Sequence, residues 1–206
     1  MIAPEGRVLV GVSVAASVIA TAWAGWWPAS PLWLVSGGLA RLFYEPVRGV
    51  SGVGSHVTGA VDGTVVAVEA ADDPWYERPA LRIGVELRFP GIAPLRAPID
   101  GRVDEFWTEL KHEAFLASPT CYTLGLVTDR EERVTVAVSS RHRHSRYRSN
   151  VSPGERVGKG IRTGFVYLAD RLDLYLPPGA QPNVQTGDRC RANSTVLADL
   201  ASGQGS

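Results

Sequence analysis

Between Arg7 and Arg41 the chain runs through 33 consecutive residues without a formal charge, more than the ~20 needed to cross the hydrocarbon core of a bilayer. The run reads as two apolar pieces, Val8 to Trp27 and Leu32 to Tyr44, separated by the breaker Pro28-Ala29-Ser30-Pro31. Trp23, Trp26, Trp27 and Trp33 cluster at the break, where an aromatic interfacial belt is expected. The second piece is short for a full span, so the pattern predicts either a membrane hairpin or one crossing followed by an interfacial helix. A cleavable signal peptide competes, because Ala20-Thr21-Ala22 and Ala22-Trp23-Ala24 resemble small-residue cleavage sites. A wholly buried soluble helix competes as well. Glu5 beside a lone Arg7 makes a poor signal-peptide start, and apolar character continues past the cut. Residues 1–48 are therefore read as a retained hydrophobic anchor.

From Val50 onward the period changes. Short runs alternate apolar and polar positions between Gly, Pro and Asp, as half-buried antiparallel strands require. The alternation predicts strands at Gly63 to Glu69, Leu81 to Phe89, Leu124 to Thr128, Arg133 to Ser139 and Leu172 to Leu176. Two stretches share a design: Ala60-Val61-Asp62-Gly63-Thr64-Val65 and Pro98-Ile99-Asp100-Gly101-Arg102-Val103. In each, Asp-Gly is read as a tight turn with positive φ open to the glycine, followed by a strand. Another pair is Gly154-Glu155-Arg156-Val157 with Gly160, and Gly187-Asp188-Arg189-Cys190 with Ala192-Asn193. Such glycine-turned hairpins look like those of lipoyl and biotinyl modules, but no exposed Met-Lys-Met turn accompanies them. The expectation is a mainly β, barrel-sandwich domain over residues 49–200 without covalent carriage of either group, and a flexible tail at 201–206.

Charge changes this picture only locally. Lys plus Arg equals Asp plus Glu at 21 each, which excludes a uniformly basic nucleic-acid binder, and 45% hydrophobic residues exclude global disorder. Cys121 and Cys190 are too few for a disulfide framework. Residues 141 to 162, however, hold seven basic side chains against one acidic, Glu155. Arg141, Arg143, Arg146 and Arg148 suit anionic lipid head groups or an acidic partner; a solvated loop pairing with local carboxylates is the plainer alternative. His142 and His144 would share one side of a strand at a metal-ligand spacing, but the interleaved arginines disfavour a cation and no metal is expected. Tyr147 is the only aromatic in the stretch, too few for a nucleic-acid stacking platform. His56 and His112 are isolated. Asp170 and Asp173 flank a strand and are read as architecture, and Trp107 to Phe115 as a connector.

Several segments, taken in order, carry a resemblance. Pro4-Glu5-Gly6 precedes the apolar run and Leu42-Phe43-Tyr44-Glu45-Pro46-Val47-Arg48 leaves it; then come Val61-Asp62-Gly63-Thr64-Val65-Val66, Arg96-Ala97-Pro98-Ile99-Asp100-Gly101-Arg102-Val103, Gly154-Glu155-Arg156-Val157-Gly158-Lys159-Gly160-Ile161-Arg162 and Arg171-Leu172-Asp173-Leu174-Tyr175-Leu176-Pro177. Together they resemble the short bacterial and archaeal type of phosphatidylserine decarboxylase over nearly the whole chain. The resemblance implies a proenzyme whose serine, in a Gly-Ser pair, attacks the preceding carbonyl, splits the chain and becomes an amino-terminal pyruvoyl group. That group then serves as the electron sink for decarboxylation of phosphatidylserine. An Asp and a His assist the serine.

Two of these parts are replaced. Ala169-Asp170 stands where the family has Gly-Ser, and no Ser, Thr or Cys lies between Gly164 and Pro177. The family's Asp-Val-His-Val-Asn-Arg-x-Pro corresponds to Gly91-Ile92-Ala93-Pro94-Leu95-Arg96-Ala97-Pro98, so Ala93 stands at the histidine. Asp62 is retained, and an Asx turn before Gly63 is enough to explain it. The sequence-based expectation is a chain that forms no pyruvoyl group and acts as a membrane-anchored accessory or scaffold subunit. Its partners would be membrane lipids and an integral membrane complex or oligomer, with no nucleic acid. The alternative is an active decarboxylase with non-standard processing. Location in the inner, cytoplasmic membrane is expected, with the β domain on the cytoplasmic side.

Overall fold

The computed structural model describes residues 4–44, 49, 54–88, 91–107 and 120–201, and the chain forms two compact units, Met1–Val47 and Arg48–Ser206. The predicted connector beyond Trp107, His112, the tail after residue 201 and the side chain of Cys121 lie outside the described residues.

The first unit is a pair of helices, α1 (Pro4–Ala24) and α2 (Trp26–Leu42), joined at Gly25 with φ 82°. The break therefore falls at Gly25 and not at the Pro-Ala-Ser-Pro segment, where the sequence pattern had put it. Pro28 sits in the first turn of α2, which needs no N–H donor from it. Pro31 lies further in, and the Trp27 carbonyl that its missing N–H leaves open accepts the Ser30 hydroxyl at 2.8 Å. The helices run antiparallel and close at their far ends, where a Cβ on Gly6 would overlap the Phe43 ring.

Polarity in this pair is reversed from that of a water-soluble hairpin. Ser17 and Ser36, both buried, share a hydrogen bond of 3.0 Å between the helices. The Trp33 indole N–H reaches the Thr21 hydroxyl at 3.1 Å. Val8, Leu9, Val12, Val18, Ile19, Leu34 and Val35 point outward and are exposed. Gly6–Ala24 is long and apolar enough to cross a membrane. Hydroxyls inside and aliphatics outside is the packing of helices in lipid, where apolar association supplies no driving force and hydrogen bonds hold the seam.

The second unit is mainly β. Its large antiparallel sheet has the order β13 (Arg189–Cys190), β2 (Gly63–Asp73), β3 (Arg78–Leu87), β11 (Arg171–Leu176), β7 (Arg133–Ser140), β6 (Thr120–Val127), β5 (Gly101–Trp107), β9 (Arg156–Val157). It curls into a half-barrel. Two three-stranded sheets complete the unit: β1 (His56–Thr58), β14 (Val196–Asp199), β12 (Gln181–Pro182), and β4 (Ala93–Arg96), β10 (Arg162–Tyr167), β8 (Arg146–Ser149). Alternation selects the inner face: Leu172, Leu174 and Leu176 meet Val134, Val136, Val138, Ile83 and Val85 in the main core. The outer face of these central strands is buried too. Trp75, Ala80, Ala137 and Tyr175 form a second cluster, with Trp75 and Tyr175 edge-on at 5.8 Å. On that same side Asp173, 1% exposed, accepts from Arg82 Nε at 3.0 Å and Arg171 Nε at 2.9 Å. β7 is thus covered on both faces, unlike the half-buried strand its alternation suggested.

The two Asp-Gly motifs and the two glycine hairpins interlock as a pseudo-twofold pair. Asp62 Oδ1 accepts the Ala192 N–H and Asp100 Oδ1 the Lys159 N–H, each at 2.8 Å. Gly187 N–H bonds Val65 O and Gly154 N–H bonds Val103 O; Val65 N–H bonds Asp188 O and Val103 N–H bonds Glu155 O. Gly63 pairs with Cys190 and Gly101 with Val157. The halves also exchange bonds, Thr58 N–H to Pro98 O at 2.9 Å and Arg96 N–H to Ala60 O at 3.1 Å. Glycine at 63 and 101 does not serve a positive φ, as the turn reading assumed. A Cβ there would overlap the carbonyl oxygens of Glu86 and Val127 on the neighbouring strands. Positive φ falls on the hairpins instead, at Gly154, Gly160 and Gly187, with Asn193 matching Gly160.

Because the two aspartates perform the same bond, Asp62→Ala and Asp100→Ala are each expected to lower stability by about 1–3 kcal/mol, the range for a backbone donor left without its charged acceptor. Urea unfolding of each variant measures this, and a silent Asp62→Ala beside a costly Asp100→Ala would refute the equivalence. Burial, helped by Asp62, pushes the Cys190 thiol up to about 12. The neutral thiol is the folded form, so its contribution is complete below the ordinary thiol range and fades as pH rises toward 12. Cys190 is expected to resist iodoacetamide at pH 8 until the chain is unfolded, as mass spectrometry of the alkylated peptide can check.

Candidate functional site

Backbone pairing gathers positions 62, 93 and 170 at one end of the large sheet. Gly63 opposes Leu87, whose N–H donates to the Asp170 carbonyl at 2.8 Å. Asp170 N–H in turn donates to Ser139 O at 3.1 Å, so the residue just before β11 is held from both neighbouring strands. The Ala169 N–H donates to Gly91 O at 3.0 Å, two residues before Ala93, and Ala93 pairs with Val166 on β10. Gly91 has φ 69°, and a Cβ on it would overlap the Ala169 carbonyl. The chain approaches this place under strain: Leu168 sits at φ 57°, a conformation costing a leucine about 1–3 kcal/mol. Its carbonyl is pinned by the Ser140 hydroxyl at 2.5 Å.

Each side chain at these positions has a distinct environment. Asp62 clamps the turn at Ala192, the bond that Asp100 duplicates on the other half. Ala93 packs against the main core, on the face of the small sheet that also carries Val166 and Tyr147. Asp170, about a quarter exposed, accepts the Arg141 N–H at 2.6 Å and faces Arg141 Nε at 3.5 Å and His142 Nε2 at 3.7 Å. Sequence reading treated the arginine stretch and position 170 as separate matters. They are 29 residues apart, and only the β7–β11 pairing, which ends at Ser139 opposite Arg171, brings them together.

The remaining candidates are placed as follows. Arg143, Arg146 and Arg148 are exposed, and Arg146 and Arg148 lie on β8, an edge strand bonded to β10. Tyr167 and Phe165 stand opposite them on the same face, Phe165 beneath the Arg162 guanidinium at 4.9 Å. His142 and His144 lie in the turn before β8 and not along a strand, so the expected shared face does not form. Among the described residues no group of His, Cys, Asp and Glu could hold a metal ion. His56 bonds the Asp199 carboxylate across β1 and β14. Trp23, Trp26 and Trp27 are strongly exposed around Gly25, whereas Trp33 turns back onto Thr21 and stacks on Trp26 at 6.3 Å.

The chain is similar to curated proteins named phosphatidylserine decarboxylase proenzyme. Those of Nitrosomonas eutropha and Nitrosomonas europaea are each 31% identical over 206 residues, covering 97% of this chain and 95% of the relative. That of Burkholderia mallei is 31% identical over 212 residues with the same coverage. No family model matches, and neither does any solved structure. Identity of this extent over nearly the whole of both chains means that the chain belongs to the phosphatidylserine decarboxylase proenzyme family.

Proposed function

We propose that this chain is a family member without self-processing or decarboxylase activity, held in the membrane by its hairpin and acting as an accessory or scaffold subunit of a membrane protein complex. The observation that carries the reading is the environment of residue 170. The family's chemistry, as the resemblance gives it, begins with a serine hydroxyl, and an aspartate carries no oxygen on its β-carbon that could be acylated and then eliminated to leave a pyruvoyl group. Asp170 is moreover bonded to the Arg141 N–H and faces His142, so its carboxylate is already engaged by the turn that leaves β7. The residues present do not fit the group. Ala93 adds a second, independent loss, since a methyl packed against the core transfers no proton.

Asp62 does not weigh against this reading. Its bond to the Ala192 N–H has a counterpart at Asp100, outside the family's reacting trio, and so needs no catalytic role. The reversed polarity of the α1–α2 pair supports membrane attachment. The arginines left for a partner are Arg143, Arg146 and Arg148, which suit anionic lipid head groups. The names of the relatives favour the other reading, an active decarboxylase with unusual processing.

Intact mass separates the two readings. The purified protein is expected as one chain of 22.1 kDa, whereas fragments split after Ala169, the smaller with a blocked amino terminus, would establish the active reading. Asp170→Ser alone is expected to stay whole, because position 93 still lacks a histidine; its cleavage would show that the histidine is dispensable here. For the arginines, Arg146→Ala and Arg148→Ala should each weaken binding of dihexanoylphosphatidylglycerol to the full chain in dodecyl maltoside about fivefold, the factor for ~1 kcal/mol per arginine. Arg141→Ala should cost less than either, since its charge already serves Asp170; isothermal titration with dihexanoylphosphatidylcholine as control measures all three.

A further inference from the structure

The two ends of the helical hairpin are chemically unlike, and that difference assigns its path through the membrane. At the turn, Trp23, Trp26 and Trp27 surround Gly25 and are 64–90% exposed. No formal charge occurs there. At the other end, Gly6 meets Phe43, which brings the start of α1 and the end of α2 together. Arg7 and Arg41 consequently belong to the same end, although they open and close the uncharged run in sequence. Antiparallel packing makes the two arginines add as orientation signals.

The dimensions agree with complete crossings. α1 has 21 residues, about 31 Å at ~1.5 Å per residue, and α2 has 17, about 25 Å. Arg7 lies about 27 Å from the turn along α1 and Arg41 about 24 Å along α2. An arginine end and a tryptophan end at this separation match the two interfaces of a hydrocarbon layer about 30 Å thick. A hairpin lying flat would offer one polar face along its length, yet exposed aliphatics occur from Val8 to Ile19 on α1 and at Leu34 and Val35 on α2. The polar seam of Ser17, Ser36, Thr21 and Trp33 is turned between the helices and satisfied there. No charge lies on the outer surface over this depth, and the half-buried Ser13 and Ser30 hydroxyls donate to the Val10 and Trp27 carbonyls of their own helices, each at 2.8 Å.

We propose that α1 and α2 both cross the bilayer, with the tryptophan turn in the far interface and Arg7, Arg41 and the β unit together on the cytoplasmic side. The proposal rests on the reading of the hairpin as a membrane anchor and adds the number of crossings and their direction. Loops rich in Arg and Lys stay cytoplasmic, and here every charge flanking the helices is at one end. The partner of this surface is thus a full phospholipid bilayer and not a single leaflet.

The test uses the full chain with Cys121→Ser and Cys190→Ala, carrying either Ala24→Cys beside the turn or Arg130→Cys on the β unit, both exposed positions. A membrane-impermeant maleimide is applied to spheroplasts and to inverted membrane vesicles of the producing bacterium. Ala24→Cys is expected to label in spheroplasts and to lose that labelling in inverted vesicles, with Arg130→Cys the reverse. Labelling of both positions from one side, or protection of Ala24→Cys from both sides with labelling restored by detergent, would overturn the double crossing. Opposite-side labelling with Arg130→Cys reactive in spheroplasts would overturn the direction. A carbonate wash of the same membranes keeps the two readings apart, because release of the chain would refute the anchor itself, whereas retention with same-side labelling refutes only the crossing.

Discussion

The β unit depends on one small bond made twice, an aspartate carboxylate accepting the backbone N–H of a glycine-turned hairpin. Asp62 with Ala192 and Asp100 with Lys159 fasten β13 to the start of β2 and β9 to the start of β5. These are the two edges of the eight-stranded sheet. With both edges tied by equivalent clamps and exchanged bonds between residues 58–60 and 96–98, the half-barrel is held in its curl and the apolar face of β11 is enclosed. The glycines beside the clamps are required by proximity, since the adjacent carbonyls leave no room for a side chain.

That closure sets the position of residue 170. β11 must lie between β3 and β7 for Leu172, Leu174 and Leu176 to be buried, and the residue just before it, Asp170, is then held between Leu87 and Ser139. Whatever stands there meets the turn that leaves β7, and in this chain a negative side chain meets Arg141 and His142. An aspartate in that place is electrostatically matched to its surroundings. The arginine stretch is accordingly not uniform: its first member, itself exposed, pairs with the Asp170 carboxylate, whereas Arg146 and Arg148 lie on an edge strand.

Much of this was legible in the sequence. The five strands read from alternation are present as β2, β3, β6, β7 and β11, and the paired Asp-Gly and glycine-hairpin motifs mark the pseudo-twofold halves. Short strands such as β8, β12 and β13 carry too few alternations to register, and they exist because longer neighbours offer them bonds. The helix break was misplaced because Pro28 and Pro31 were read as breakers, when an early position and the Ser30 hydroxyl make them tolerable. The partner of Asp170 could not be read at all, since a contact across 29 residues is fixed by strand register and no local pattern encodes it. Likewise the common end shared by Arg7 and Arg41 is a property of antiparallel packing, invisible to a linear count of charge.

The duplicated clamp bears on how residues surviving in a diverging lineage should be interpreted. An aspartate that fastens an edge of the sheet serves the fold whether or not any reaction depends on it. Its twin at Asp100 makes the same bond outside the family's reacting trio. In this chain, then, the Asp62 carboxylate is accounted for by architecture, and its presence alone says nothing about whether a reaction takes place.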